Sequence, residues 1–278
     1  MRYNNFILFC FIFTISCSPK ALLLDQPKLV SIYFERKIKN LEKNDKLDLY
    51  QQRDLIRTKV EYGFGIIMEQ ADRSIDTDYS AALDHYKKAN IIFKQARDLG
   101  ISVLNDRYPS FENWLRSNTE IQFNRNDIID LYWLAAAYGG SISSSRGDPF
   151  ELIHLPNVGR LLRKCIALEP SWNNGAVYSA MMSFTSSRTD LSGVLLRDSV
   201  DYYFDQSIFY SDSLDASPYV AYAESIHKTY QERKEFEDKL NYVLDMEIIP
   251  RSEYELSNLI AKNRAEWLLT KTEEYFLE

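Results

Sequence analysis

Glycine, proline, histidine and cysteine are all scarce in this chain: its 278 residues hold nine Gly, eight Pro, three His and three Cys. Each scarcity excludes something. With few turn-forming residues and no long alternation of apolar and polar side chains, a sheet-rich fold is excluded, and helical spacing dominates from Leu29 to Phe276. The histidines, His85, His154 and His227, stand apart, and neither HExxH nor paired-cysteine spacing occurs, so no metal site is expected. There is no GxSxG elbow and no GxxxxGK loop. Gly139-Gly140 follows a helical run instead of opening one, so it offers a phosphate no amide nest. Lacking a catalytic constellation, the chain reads as a non-enzyme without a cofactor. Excess basic charge is missing too, and a formal net charge of −7 argues against a nucleic-acid partner. Arg36, Lys37 and Lys39 read as a solvated helix face. What is present, 45% hydrophobic and 26% charged residues, is the balance of a globular protein.

The N-terminus carries a targeting pattern. Met1 to Asn5 is short and positive, Phe6 to Ile15 is an apolar run, and Thr14-Ile15-Ser16 places small residues before Cys17. The run is too short for a spanning helix and reads as a signal peptide, residues 1–16. Cys17-Ser18-Pro19 resembles a bacterial lipobox, with Thr14 in place of the usual Leu, which makes Cys17 the expected lipidation site. The alternative is plain cleavage before Cys17. Ser18 after the cysteine favours the outer membrane, with the protein facing the periplasm. Residues 17–28 then form a tether and 29–278 the folded domain. Cys10 leaves with the signal and Cys17 takes lipid, so Cys165 remains alone without a disulfide partner and reads as a buried small hydrophobe.

Helix breaks are expected at Asp76-Thr77-Asp78, Tyr108-Pro109, Asp148-Pro149, Leu155-Pro156, Glu169-Pro170, Ser217-Pro218 and Ile249-Pro250. Aligned in pairs, the helices follow a degenerate tetratricopeptide register. Leu131-x2-Leu134-Ala135-x2-Tyr138 pairs with Val158-x3-Leu162-x2-Cys165, and Gly175-x2-Tyr178 with Val200-x3-Phe204-x2-Ser207. Val220-x2-Ala223 pairs with Phe236-x3-Leu240-x2-Val243, and Phe64-x2-Ile67 with Ala82-x3-Tyr86-x2-Ala89. The expected fold is all-α, a tetratricopeptide-like helical repeat array; a generic bundle is the alternative. About eleven and about thirteen extra residues follow Tyr138 and Tyr178, and such insertions often mark a binding edge.

The stretch Asp130 to Pro149, DLYWLAAAYGGSISSSRGDP, has almost no polar side at its start and dissolves into small residues. As a repeat helix, Leu131 to Tyr138 is expected to be wrapped on every face. The register puts Ile129, Tyr132, Ala136, Gly139 and Gly140 on the concave side, joined by Trp172, Ala176, Ser179 and Ala180 and by Tyr62, Gly65 and Glu69. An aromatic and small lining suits a hydrophobic ligand cleft. It suits close helix packing equally well.

Longer segments carry a family resemblance. They are Arg107-Tyr108-Pro109-Ser110-Phe111-Glu112, DIIDLYWLAAAYGG with SISSSRGDP, LPNVGRLLRKCIALEPSWNNGAVYS, YYFDQSIFYSD, SPYVAYAESI, EFEDKLNYVLD and NLIAKNRAEWLL. In this order they resemble the T-component lipoproteins, often called TatT-like, of tripartite ATP-independent periplasmic (TRAP) transporters. The resemblance implies cryptic tetratricopeptide-like pairs closing around a pore, a lipid anchor as the only membrane attachment, and a homotrimer. It also implies clefts adjoining the pore and a periplasmic substrate-binding subunit as partner; the apolar lining adds the expectation of a small hydrophobic ligand. A Pro and double Gly common in one family loop are reduced here to Leu191-Ser192-Gly193, which bears on partner specificity. A tetratricopeptide-like scaffold lipoprotein for envelope assembly or secretion is the alternative.

Overall fold

A computed structural model describes residues 27–276, apart from residues 45 and 118; the signal segment 1–16, Cys17 and the tether up to residue 26 lie outside the described residues. The protein is all-α, 77% helical, with no strand among the described residues. In chain order the helices begin with α1 (Pro27–Glu42) and α2 (Leu49–Tyr62), which runs through a π turn (Gly63–Met68) into α3 (Glu69–Ser74). Next come α4 (Tyr79–Arg107), α5 (Phe111–Arg116), α6 (Ile128–Ser144), α7 (Pro149–Leu152) and α8 (Leu155–Leu168). The C-terminal part holds α9 (Ala176–Ser186), α10 (Gly193–Tyr210), α11 (Ser217–Tyr222) with a second π turn (Ala223–His227), α12 (Arg233–Asp245), α13 (Glu255–Thr270) and α14 (Thr272–Tyr275).

The breaks have local causes. Asp78 caps α4 by accepting from the Ala81 N–H at 3.0 Å. The residue before Pro109 is driven out of helical geometry, and α4 stops at Arg107. Asp148 caps α7, accepting from the Phe150 N–H at 2.9 Å, with Pro149 in the first turn. Pro156 and Pro218 likewise sit in the first turns of α8 and α11, where a missing N–H costs nothing, and so start helices rather than ending them.

Helices close in sequence are neighbours in space. α4 packs along α2, α3 and α6, while α6 lies between α4 and α8. α9 packs against α10 and α8, and α11 with its π turn joins α9 and α10 to α12, which rests on α13. One core gathers Leu104, Leu131, Leu134, Leu161 and Met181; a second gathers Ile56, Val60, Ile67 and Phe93. A third, around Phe236, Leu240 and Leu268, holds the C-terminal helices. Cys165 is fully buried in the first, and burial pushes its thiol up to about 12. Arg264 of α13 then reaches the start of the chain. Its guanidinium pairs with Glu69 at 3.1 Å and Asp72 at 2.9 Å on α3, and with Glu224 at 2.7 Å in the second π turn.

Candidate functional site

The candidate site is built around one stripe of α6. Ile129, Tyr132, Ala136 and Gly139 recur at helical spacing and are all only partly covered. The rest of the helix is packed: Ile128, Leu131, Leu134 and Tyr138 are buried against α4, α5 and α8. The helix is therefore not wrapped on every face, although its apolar sequence leads one to expect that. The partly covered face is apolar too, which is why periodicity does not tell it from the packed ones.

The double glycine divides between two tasks. A Cβ added at Gly139 would meet nothing within 4 Å, whereas one at Gly140 would stand 2.3 Å from the Phe93 ring. Gly140 thus admits α4 to close contact and belongs to the core, away from the stripe. Gly63, in the π turn after α2, does the same from the other side, where an added Cβ would fall 2.5 Å from Phe93 Cζ. Gly65 repeats the behaviour of Gly139, with nothing within 4 Å of a Cβ. Phe93 is pinched between two glycines while two others border open space.

Trp172 is brought to this stripe by an unusual turn. Asn173 (φ 47°), Asn174 (φ 52°) and Gly175 (φ 84°) are consecutive left-handed residues at the entry to α9. Asn tolerates that region better than most residues, and Gly175 is required twice over, since a Cβ would also lie 2.8 Å from Tyr210 Cβ. The turn seats the Trp172 ring 4.9 Å from the Tyr132 ring, and Trp133 follows at 5.3 Å from Tyr132. Arg57 covers Trp133 at 5.9 Å. On α9, Ala176, Ser179 and Ala180 continue the half-covered face. Desolvation, with help from the Asp215 carboxylate and then Cys165 and Glu61, pushes the Tyr132 phenol up to about 12, so it stays neutral and a hydrogen-bond donor. Burial also raises the Asp215 carboxyl.

Of the expected lining residues, Tyr62 lies elsewhere. It is buried against α1, stacked on Phe34 at 5.4 Å, and its hydroxyl donates to Glu35 Oε1 at 2.8 Å and accepts from Lys88 Nζ at 3.1 Å. Two residues that the register did not single out bear on this region. Phe93 explains Gly63 and Gly140, and Asp215 places an acid near Tyr132. Both are long-range neighbours, and no local spacing signals them.

Two hollows lie away from this stripe. One, of about 360 Å³, is lined by residues such as Tyr242, Met246, Ile249 and Tyr254; the other, of about 390 Å³, includes Ile101, Leu115, Tyr138 and His154. Among the described residues no cluster of three or more His, Cys, Asp or Glu is gathered closely enough for a metal ion, and no helix is long and apolar enough to cross a membrane.

The two stretches read as insertions take definite forms. After Tyr138, α6 continues to Ser144, where Ser144 Oγ donates to the Gly140 carbonyl at 2.7 Å. Arg146 (φ 53°) and Gly147 (φ 93°) then turn the chain into α7, which leaves Phe150 80% exposed. The second insertion extends α9 and starts α10 with Val194 73% exposed.

The sequence matches the family described as "TRAP transporter T-component" over residues 42–276. It is also similar to an uncharacterized protein of Treponema pallidum (strain Nichols), 21% identical over 233 residues, which cover 80% of this chain and 71% of that protein.

Proposed function

The chain belongs to the TRAP transporter T-component family, and we propose that it serves such a transporter as a lipid-anchored, periplasm-facing adaptor with a ligand cleft. Family membership implies association with a TRAP transporter and a place in the bacterial envelope. The finer reading has four parts: diacylation at Cys17, a periplasmic substrate-binding subunit as direct partner, a homotrimer of tetratricopeptide-like arrays, and a small hydrophobic ligand. The single observation that supports the cleft most is the half-covered stripe Ile129, Tyr132, Ala136 and Gly139, bordered by Trp172 and Ala176. Its walls are aromatic rings and small side chains, which admit an apolar body and supply few competing polar groups. The neutral Tyr132 phenol would orient one polar end of that ligand.

A paired substitution tests the cleft. Gly139→Leu projects a side chain into open space and should leave the melting temperature unchanged or raised while abolishing ligand or partner binding. Gly140→Leu drives into Phe93 and should cost about 1–3 kcal/mol of stability. Full binding by a stable Gly139→Leu protein would reduce the stripe to packing.

A further inference from the structure

We infer that the outer face of α1 lies flat on an anionic lipid surface; the inference rests on the anchor proposed at Cys17. The helix sorts its charges by face. Its acids stand on the flank, about half exposed, and pair with the body of the protein, Glu35 with Lys88 at 2.8 Å and Glu42 with Lys59 at 2.6 Å. Lys37 pairs with Asp54 at 2.8 Å, and Val30, Phe34 and Ile38 pack into the core. The opposite side is left with Lys28, Arg36 and Lys39, then Lys43 just beyond the helix end. All are exposed, and among the described residues none of them forms an ion pair.

Lys28, Ile32, Arg36, Lys39 and Lys43 are spaced four, four, three and four residues apart, which stacks them into one stripe. Beside it stand Leu29, 51% exposed, and Tyr33, 60% exposed. A basic stripe flanked by aliphatic and tyrosyl side chains is the pattern of a helix lying in a headgroup layer, with long basic chains reaching phosphates and apolar groups entering the acyl boundary. A protein of net charge −7 is otherwise repelled by such a surface, so this local reversal of sign matters.

Chain length selects the occupant. From the proposed acyl-cysteine to Pro27 runs only the stretch 18–26, which spans at most about 30 Å fully extended. The start of α1 therefore cannot leave the membrane vicinity. One diacyl group already holds the chain there, so α1 has only to set how the molecule stands, not whether it binds.

The test uses the acylated full-length protein in vesicles of phosphatidylcholine, alone or mixed with phosphatidylglycerol, and reads the rate at which a water-soluble maleimide labels Tyr33→Cys. Cys165 is buried and will not interfere. Labelling should slow about tenfold in the anionic vesicles relative to detergent solution, and recover in molar salt, where the screening length falls to about 3 Å. Val194→Cys, on an exposed position of α10, should label equally throughout. Adding Arg36→Glu and Lys39→Glu should restore fast labelling of Tyr33→Cys while the protein still sediments with the vesicles. Equal labelling in all media, with sedimentation intact, would overturn the inference and leave the anchor standing. Protection already present in detergent, as a second copy of the chain seated on this face would give, would also overturn it. Failure to sediment at all would overturn both.

Discussion

Gly139 and Gly140 are adjacent, chemically identical and differently employed. One faces open space; the other holds Phe93. Gly139→Ala should stabilise the helix by about 0.5–1 kcal/mol through backbone entropy, and Gly140→Ala should destabilise by pushing Phe93 aside, which thermal melts would resolve. The register alone assigns both to the cleft lining, because a 3.6-residue period cannot say which side of a helix a neighbour approaches. Cys165 makes a second residue-level case. Its thiol is buried, raised to about 12 and unreactive, so the acylated protein should show no free thiol to a maleimide when native and a single one in guanidinium. A reactive native thiol would mean that Cys17 is free. The burial of Cys165 is legible in its apolar helical run, and the geometry agrees.

Burial depresses the basicity of both His154 and His227, and the effect on His227 prevails although Glu232 stands 2.8 Å from its Nδ1. A folded-state value below the unfolded one means the unfolded chain binds more protons, so stability falls as pH drops below about 6.5. His154→Gln with His227→Gln should therefore flatten the decline in melting temperature between pH 7 and pH 5. An unchanged slope would assign the acid sensitivity to carboxylates instead.

At the level of elements, helix ends are the readable part. Asp78, Asp148 and the prolines act through their own backbone neighbours, so local sequence is enough to place them. The two π turns are not readable. Gly63–Met68 and Ala223–His227 look like ordinary helix in sequence, and no cap or proline marks them. Nor does any local pattern announce that Arg264 bridges α3 and the second π turn. Its three carboxylates, Glu69, Asp72 and Glu224, are mostly covered, so Arg264→Ala would leave mutually repelling acids. The expected loss is about 2 kcal/mol, with faster amide exchange in α13 and partial rescue by Glu69→Gln. No rescue would indicate that the arginine acts through its contact with Trp267, 4.6 Å away.

For the whole molecule, family membership carries further than any single site. The all-α class is legible because strand patterns are missing and turn-forming Gly and Pro are few. Of the residues expected to line a cleft, Ile129, Tyr132, Ala136, Gly139, Trp172, Ala176 and Ser179 lie on half-covered faces, whereas Tyr62 and Gly140 turn to other neighbours. The proposed partner and ligand would leave no signature in one chain's packing, since each would act on a surface that is complete without it.

Isolation of the tagged full-length protein from its own membranes in mild detergent, with mass spectrometry of what accompanies it, tests the central claim most directly. A periplasmic substrate-binding subunit of a TRAP transporter should be recovered with the wild type, and lost when Gly139→Leu is captured instead. Recovery of envelope-assembly or secretion components without any transporter subunit would contradict the adaptor role.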